Sequence, residues 1–519
     1  MRIGLLPVYA TRPNPQFAAY MAGLLRVLGH ETETLACDGA IGTCINHVFR
    51  AKPRLLECAC CCLGGVRSFN IGPVASMHPA TRGAIPASTA FDLAYSTAVT
   101  TSRVENPSDF TSSRVRNLQD ALAPGIDIAV GAVERWISRR KIDAMILFNG
   151  RLDATAGALY ACQRNGVPVL TFDRSLIGHG IYFVPNESCL STQALESVTS
   201  EFRDLPLTSD QVRCAAGFLA RRLLRRSRHE FRVFNEGGVP AAWPIQSSPK
   251  MRVLVLPSSR NELEGHDEWK SQFVDLPTVL PILLSKLQMI PQEVVIRGHP
   301  MWASRFAGQD ISPASDFWRQ YTSTHGYHFI DSSSRLSTQD LIAQADLIVV
   351  NGSSAALESG ALGKKIICFG HSNYLTAGIA THIKNGSEWP RLEEVWHKIP
   401  EEIVRKTLRY AYCIGWRYPQ FVPYVRADGP VRYSFHDGAS GERIISMLQS
   451  GLVHADCADI DSSTQHEDEV IERFLDNTWQ PLAEFEDDPI TTPPIQVKRK
   501  LLLRWIDPLR AKMSKGDLL

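Results

Sequence analysis

The sequence has no long hydrophobic run. No stretch approaches the ~18 consecutive apolar residues that cross a bilayer as a helix. The opening residues, MRIGLLPVYATRPNPQ, carry one short apolar run that ends at Pro7. This pattern favours a first strand over a signal peptide. We therefore expect a cytoplasmic protein.

The sequence also has no excess of charge. Its 55 Lys and Arg residues balance 54 Asp and Glu residues, for a net charge of +1. Nucleic-acid binders carry a basic field, so this balance argues against a general nucleic-acid partner. A hydrophobic content of 44% and a charged content of 21% fit a globular protein. At 519 residues the chain exceeds one ordinary core, which predicts two substantial domains.

Short apolar stretches alternate with amphipathic stretches in two separate runs. The first run includes the strand-like stretches RIGLLPVY, DAMILFNGR and VPVLTFDR, and the second restarts at MRVLVLPSS after a linker dense in Gly, Pro and Ser. This alternation predicts an α/β protein with two doubly wound, Rossmann-like domains facing a central cleft. We predict domains at 1–235 and 251–450, a linker at 236–250 and a tail at 451–519.

Two stretches of the first run depart from this alternation. Residues 65–115 are rich in Ser, Thr, Pro and Gly, which predicts long loops or a lid. A helix predicted over about 209–234 carries seven Arg. Its basic face could meet phosphates, but we favour a solvated helix between the two domains.

The tail changes character along its length. HADCADIDSSTQHEDEV is acidic, whereas QVKRKLLLRWIDPLRAKMSK is basic and interleaved with apolar residues. Such a basic amphipathic segment can rest on the anionic surface of a membrane, although Pro508 interrupts a continuous helix. The alternative is a tail that docks on its own domain through Trp505. Both interpretations stay open.

Six of the twelve cysteines lie within the first 62 residues. In a reducing compartment such a cluster suggests metal or redox chemistry more than disulfides. The spacing, C-x6-C followed by C-x-C-C-C, matches neither a C-x2-C pair nor a zinc knuckle. A zinc or iron–sulfur centre would use Cys37, Cys44, Cys58 and Cys61. Free thiols in the core are the favoured alternative.

Two polar motifs follow apolar strands of the second run. In VVIRGHP, Arg297 and His299 leave the carboxyl edge of the sheet, where ligands of open α/β sheets bind, and Pro300 holds His299 extended. In VVNGSSAALESG, Gly352 allows close backbone approach, and Ser353 and Ser354 begin a helix.

The serine turn suits an anion, because hydroxyls and unpaired N–H groups are donors. A simple helix cap is the alternative for Ser353. Glu358, one turn further on, would suit ribose hydroxyls better than a phosphate.

The stretch PSSRNELEGHDEW opens the second run. Ser259 and Glu262 could touch a leaving phosphate or a transferred sugar, and a capped helix start is the competing account. The sequence has no D-x-D motif in a convincing strand-end context. We therefore expect no essential metal or other cofactor, with leaving-group charge neutralised by Arg297, serines and helix dipoles.

The motifs VVIRGHP and ADLIVVNGSSAALESGALGKKIICFG resemble the donor half of GT-B glycosyltransferases of the capsule polysaccharide biosynthesis family, which contains Kdo transferases. They are also similar to the His-Pro and Ser-Ser motifs of GT-B bacterial sialyltransferases. The resemblance covers about 250–380 and implies a GT-B-like fold. It further implies that His299 and Pro300 hold the nucleotide of a CMP-sugar, Ser353 and Ser354 its phosphate, and Glu358 its ribose. Related patterns occur in polyol-phosphate transferases of teichoic acid synthesis.

The stretch FNGRLDATAGALYACQRNGVPVLTFDRS resembles an acceptor-domain pattern of capsule-type transferases. This resemblance implies that four residues face the cleft from the other side: Asn149, Arg151, Asp173 and Arg174. Glycosyl transfer needs a general base, for which Asp173 is the first candidate and His179 the second. The family tends to have Glu-Arg-Gly where this chain has Asp-Arg-Ser. A structural salt bridge between Asp173 and Arg151 is the alternative.

The sequence thus predicts a bacterial, metal-independent glycosyltransferase that moves a sugar from a nucleotide-activated donor to a surface or capsular polysaccharide. The resemblance implies a CMP-linked donor as one candidate, and the base of the nucleotide stays open. The acceptor would be a glycan or a lipid-linked saccharide. Two alternatives remain: a non-hydrolysing nucleotide-sugar epimerase with the same fold, and a non-catalytic metal-binding assembly protein of polysaccharide biosynthesis.

Overall fold

Stretches of Leu, Ile and Val form the first sheet, because strands covered on both faces need apolar side chains on both. The computed structural model describes residues 1–50, 53–78, 83–227, 229, 238–245, 250–303, 313–485, 492–506 and 508. The strands are β1 (Arg2–Leu6), β2 (Glu31–Ala36), β3 (Val74–Ser76), β4 (Ala144–Phe148), β5 (Val169–Arg174) and β6 (Ile181–Pro185). Their order is β3-β2-β1-β4-β5-β6, and β6 alone runs antiparallel to its neighbour.

Eight helices accompany these strands in the described part of the chain: α1 (Asn14–Val27), α2 (Ile45–Arg50), α3 (Arg54–Gly64), α4 (Ala87–Ser102), α5 (Ser113–Arg140), α6 (Asp153–Arg164), α7 (Gln193–Phe202) and α8 (Ser209–Leu223). Helix α4 corrects the expectation that 65–115 is mainly loops or a lid. Its alanines at i, i+4 and i+8, Ala90, Ala94 and Ala98, are buried, and α4 packs on α5. This small-residue face outweighs the low helix propensity of Ser and Thr.

Helix α8 corrects a second expectation. It ends at Leu223, well short of 234, and residues 228 and 230–234 of the predicted helix lie outside the described residues. Most of α8 is buried. It packs against the helical turn Gln480–Glu484 and against α14 and α12, whose bounds follow below, so it is not a solvated connector. A capping box at its start, in which Thr208 and Gln211 exchange hydrogen bonds, fixes its direction.

The second sheet contains β7 (Val253–Leu256), β8 (Val294–Arg297), β9 (His328–Ile330), β10 (Leu347–Val350), β11 (Lys365–Phe369) and β12 (Thr381–Ile383). Its order is β12-β11-β10-β7-β8-β9, and every neighbouring pair is parallel. Its helices are α9 (Leu276–Leu287), α10 (Pro313–His325), α11 (Thr338–Gln344), α12 (Ala355–Ala361), α13 (Leu392–His397) and α14 (Pro400–Tyr412). Two doubly wound sheets, parallel except for β6, confirm the predicted α/β, GT-B-like fold.

After α14 the chain returns to the first sheet. A π-helical turn, Cys413–Arg417, leads into β13 (Val425–Gly429) and β14 (Arg432–His436), which form an antiparallel sheet with β15 (Pro494–Ile495). Residues of β14 pack on α1: the rings of Phe17 and Tyr433 lie 4.9 Å apart, and those of Tyr20 and Phe435 lie 5.1 Å apart. Helix α15 (Glu442–Ser450) follows.

The acidic part of the tail is folded. It forms α16 (Gln465–Leu475), whose Glu467 is buried and accepts hydrogen bonds from Arg409 at 2.8 Å and Arg405 at 3.1 Å. Among the helices of the described chain, none has the length and hydropathy needed to cross a bilayer. The boundaries predicted for the domains, linker and tail stay predictions, and residues 246–249, 507 and 509–519 lie outside the described residues.

Candidate functional site

A cleft of about 730 Å³ separates the carboxyl edges of the two sheets. Because parallel strands end at one edge, the loops that follow them converge on this space. Twelve of the predicted site residues line it: Asn149, Arg151, Asp173, Arg174, Glu262, Arg297, His299, Pro300, Gly352, Ser353, Ser354 and Glu358. The cleft therefore brings together the motifs of both halves.

The serine turn follows β10 on the second-sheet side. Gly352 has φ +93°, and a Cβ there would come within 3.1 Å of the His371 carbonyl, so the turn requires glycine. The Ser353 carbonyl accepts a hydrogen bond from the Tyr374 hydroxyl at 3.2 Å. Ser354 is exposed at the start of α12. Since α12 has only seven residues, the serine hydroxyls matter more than a helix dipole.

Arg222 is a charged cleft residue that the sequence analysis does not single out. It lies in the last turn of α8, and its Nη2 donates to Glu358 Oε1 at 2.9 Å and approaches Ser354 Oγ at 3.5 Å. Its side chain and that of Glu358 are 11% and 8% exposed. Glu358, predicted to bind ribose, is thus held in an ion pair. The arginine-rich pattern of this helix is the sequence signal for such a contact, although the pattern favours a solvated helix.

The His-Pro motif lies where it was predicted, directly after β8. His299 is extended, with φ −66° and ψ 131°, as the following proline requires, and its Nδ1 accepts from the Met301 N–H at 3.3 Å. Arg297 uses its guanidinium in contacts to the backbone. Its guanidinium donates to the carbonyls of Asp331 and Ser334, the latter at 2.8 Å. Burial lowers its pKa.

Ser259 and Glu262 join the two halves. Ser259 is buried and lies outside the cleft lining: its hydroxyl accepts from Trp302 Nε1 at 3.0 Å and donates to Glu105 at 3.3 Å. Glu105, which comes from the first half, also accepts from the Arg260 N–H at 3.0 Å. The carbonyl of Glu262 accepts from Arg151 Nη1 at 2.8 Å. These contacts hold the halves together beside the cleft.

Asp173 has a fixed orientation on the first-sheet side. Its Oδ2 accepts from Asn149 Nδ2 and its Oδ1 from the Arg174 N–H, both at 2.7 Å. Asn149 adopts φ +61°, and its Oδ1 accepts from the Arg151 N–H at 3.2 Å, a local turn that asparagine favours. A carboxylate positioned in this way can accept the proton of a hydroxyl brought into the cleft.

Two arginines near Asp173, Arg151 and Arg174, direct their guanidinium groups to partners other than its carboxylate. Arg151 Nη1 donates to Thr100 at 3.0 Å as well as to Glu262, rather than forming the proposed salt bridge to Asp173. Burial lowers the pKa of Arg151, and Glu262 and Asp173 oppose that shift. Arg174 donates to the Pro430 carbonyl at 2.9 Å, which ties the returning segment to this edge.

His179, the second candidate base, does not line the cleft. It is 5% exposed, and its Nδ1 accepts from the Ala427 N–H at 3.0 Å. Its ring lies 4.8 Å from that of His229. The histidine supports the β13 segment, which leaves Asp173 as the candidate base in the cleft.

The four predicted metal-ligating cysteines line a separate cavity of about 50 Å³, near the carboxyl ends of β1 and β2. Cys58 Sγ lies 3.5 Å from His47 Nε2. Burial raises the pKa of Cys37, that of Cys44 to about 11 and that of Cys61 to about 12, so these thiols keep their protons at neutral pH. In the described ranges no three metal-ligating side chains are placed to share an ion. The metal prediction gains no geometric support and stays untested.

The two Rossmann-like sheets and the shared cleft define a GT-B-like α/β protein. No protein-family model matches the chain, and no curated protein matches it.

Solved structures show distant similarity. The beta Kdo 2,4 transferase KpsC of Thermosulfurimonas dismutans is 16% identical with a TM-score of 0.33, over 59% of this chain and 87% of that one. The UDP-GlcNAc 2-epimerase of Methanocaldococcus jannaschii is 10% identical with a TM-score of 0.29, over 87% and 100%. The glycosyltransferase SsfS6 of Streptomyces sp. SF2575 is 12% identical with a TM-score of 0.21, over 80% and 95%. At these values the similarity carries no conclusion about activity.

Proposed function

We propose that this protein is a glycosyltransferase that moves a sugar from a nucleotide-activated donor, CMP-linked by motif resemblance, to a glycan or lipid-linked saccharide of a surface or capsular polysaccharide. The observation that carries the proposal is the cleft shared by the two sheet edges. One edge presents hydroxyls and a histidine suited to a nucleotide phosphate, and the other presents an oriented carboxylate.

The donor would bind at the second-sheet edge. Hydroxyls of Ser353 and Ser354 donate to phosphate oxygens, and His299 contacts the nucleotide. Arg222 supplies the positive charge, since its guanidinium already lies 3.5 Å from Ser354 Oγ. Guanidinium forms strong, charge-assisted hydrogen bonds to phosphate. A phosphate at Ser354 would therefore compete with Glu358 for this side chain.

The acceptor would bind at the first-sheet edge. Asp173 takes the proton from the acceptor hydroxyl as its oxygen attacks the anomeric carbon of the donor sugar. The bond from that carbon to the phosphate oxygen breaks, and the leaving nucleotide keeps the electron pair. Arg222 and the serine hydroxyls stabilise the charge that develops on the phosphate, without an essential metal ion.

A nucleotide screen tests the donor site. We expect CMP, UDP, CDP or GDP to raise the Tm of the protein, because a ligand of the folded state stabilises it in proportion to its affinity. His299→Ala should reduce the shift by lowering nucleotide affinity about tenfold or more, with little change in the Tm of the ligand-free protein. His397→Ala, at an exposed position on α13, is the matched control. Equal nucleotide affinities in both variants would contradict the site.

A turnover assay tests the reaction. Purified protein incubated with CMP- and UDP-linked sugars should release free nucleotide in step with glycosylation of an oligosaccharide acceptor. An epimerase would instead alter a UDP-sugar in the absence of acceptor. An unchanged donor in every combination would contradict the transferase proposal.

A further inference from the structure

Helix α3 exposes an apolar face. Leu55, Leu56 and Leu63 are 86%, 54% and 46% exposed. Ala59 and Cys60 are exposed on the same side of the helix, whereas Glu57 is buried. Single exposed leucines are ordinary, but several on one helix face mark an interaction surface.

The segment around residue 501 exposes a second set of apolar side chains. Leu501, Leu502 and Trp505 are 74%, 86% and 56% exposed, while Ile506 is buried. This outcome corrects the alternative in which Trp505 docks on its own domain. The segment is attached through other residues and turns its largest apolar side chains outward.

Arg499 attaches this segment to the end of α3. Its buried Nη1 donates to the carbonyls of Leu63 at 3.3 Å and Gly64 at 3.2 Å, and its guanidinium lies 4.6 Å over the Phe69 ring. The Lys500 N–H donates to the Ser68 carbonyl at 2.7 Å. These contacts bring the second set to the C-terminal end of α3, next to Leu63. We call the two sets together the leucine face: Leu55, Leu56, Leu63, Leu501, Leu502 and Trp505.

The exposed charges on α3 and on the described residues 492–506 are of one sign. Arg54, Lys498, Lys500 and Arg504 are exposed beside it. The one acidic residue of α3, Glu57, is buried and paired with Arg50 at 2.7 Å, and residues 492–506 contain no Asp or Glu. An apolar surface fringed with cations matches the headgroups and acyl chains of an anionic bilayer. Two copies of this face would instead bring like charges together.

We propose that the leucine face binds the surface of an anionic phospholipid membrane. Leu and Trp side chains enter the interface between headgroups and acyl chains, and the cations pair with lipid phosphates. The loops that follow β1 and β2 leave the same edge of the first sheet as those that follow β4 and β5, because these strands are parallel. The membrane would thus lie at the end of the sheet that carries Asp173. Binding to lipid does not depend on the transfer reaction.

Vesicle sedimentation of the full-length protein tests this proposal. We expect binding to vesicles of phosphatidylglycerol and phosphatidylcholine in equal amounts, little binding to pure phosphatidylcholine, and release as salt rises from about 0.1 M to about 1 M. Leu55→Ser with Leu56→Ser should lower the vesicle affinity at least about tenfold. Lys498→Gln with Lys500→Gln should lower it about tenfold for anionic vesicles only.

The matched control is Leu452→Ser with Ile460→Ser, which removes two apolar side chains that are 55% and 49% exposed away from the leucine face. It should bind like the parent protein, and all variants should keep the parent Tm. Unchanged binding by the Leu55/Leu56 variant would overturn the proposal. So would a dimer in solution that this variant dissociates, because a second copy would then occupy the face.

Discussion

The two sheet edges that face the cleft present different chemical groups. The second sheet is entirely parallel, and its edge presents small hydroxyls and a histidine around the glycine turn at 352. The first sheet ends in an antiparallel strand, and its edge presents Asp173 and Arg151 in an existing network of hydrogen bonds. A proton acceptor must be held in one orientation, whereas an anion site needs donors that a ligand can engage.

The largest expected effect is a loss of catalytic rate at the first-sheet edge without a loss of nucleotide binding at the second-sheet edge. Asp173→Asn should lower kcat by about 10²–10⁴-fold, because the amide cannot accept a proton from the acceptor hydroxyl. Asparagine keeps a hydrogen-bonding group at this position, so nucleotide affinity should stay within about twofold. Rates of transfer and nucleotide titrations check both quantities. Transfer at the parent rate would place the base elsewhere.

Arg222 links the two halves. It comes from the first half of the chain and contacts Ser354 and Glu358 at the edge of the second sheet. Arg222→Met should lower the free energy of unfolding by about 2–3 kcal/mol, because the buried Glu358 would lose its charge-assisted hydrogen bond from Arg222. It should also weaken nucleotide binding. Adding Glu358→Gln should restore most of the stability but not the affinity. Denaturant titration and nucleotide binding measure the two effects, and recovery of both would assign Arg222 a purely structural role.

The serine turn can be tested without changing charge. Ser353→Ala with Ser354→Ala should raise the Kd for nucleotide about tenfold, from the loss of two hydroxyl donors to phosphate. Transfer at saturating donor should fall much less than in the Asp173 variant. Ser387→Ala, in an exposed turn on the second half, serves as the control. An unchanged Kd would mean that the serine turn only caps helix α12 and does not bind the phosphate.

The last prediction concerns stability alone, at the contact that joins the two halves beside the cleft. Burial raises the pKa of Glu105 from 4.5 to about 8, so the folded protein retains a proton that the unfolded chain releases above pH 4.5. Glu105 therefore makes its full contribution to the free energy of unfolding below about pH 4.5, and this contribution is lost as the pH rises to about 8. The Tm should fall over this range, and fall less in Glu105→Gln. Glu401→Gln, at an exposed position, should retain the parent slope.

The alternation of strands and helices was predictable, because each buried strand is a short apolar stretch that can be recognised in the sequence. The strands before Asn149, His299 and Gly352 were located from such stretches, and their loops meet in the cleft. Parallel pairing then fixes the edge at which the loops emerge, so the main site motifs could be assigned to one place.

Contacts between distant parts of the chain were not predictable. Arg222 and Glu358 are 136 residues apart, and nothing local to either marks the other as its partner. Helix α4 is stabilised by packing of its alanine face on α5, which composition alone conceals. His179 has the residue type of a general base, but a backbone contact to Ala427 occupies its Nδ1. In each case tertiary context decided the outcome.

The return of the chain to the first sheet has a consequence for how the protein is made. Phe17 and Tyr20 of α1 complete their packing with Tyr433 and Phe435, more than 400 positions later in the sequence. The Gly180 N–H likewise donates to the Val425 carbonyl at 2.7 Å. During synthesis on the ribosome, this side of the first sheet's core therefore cannot close until more than 400 residues after α1 have been made.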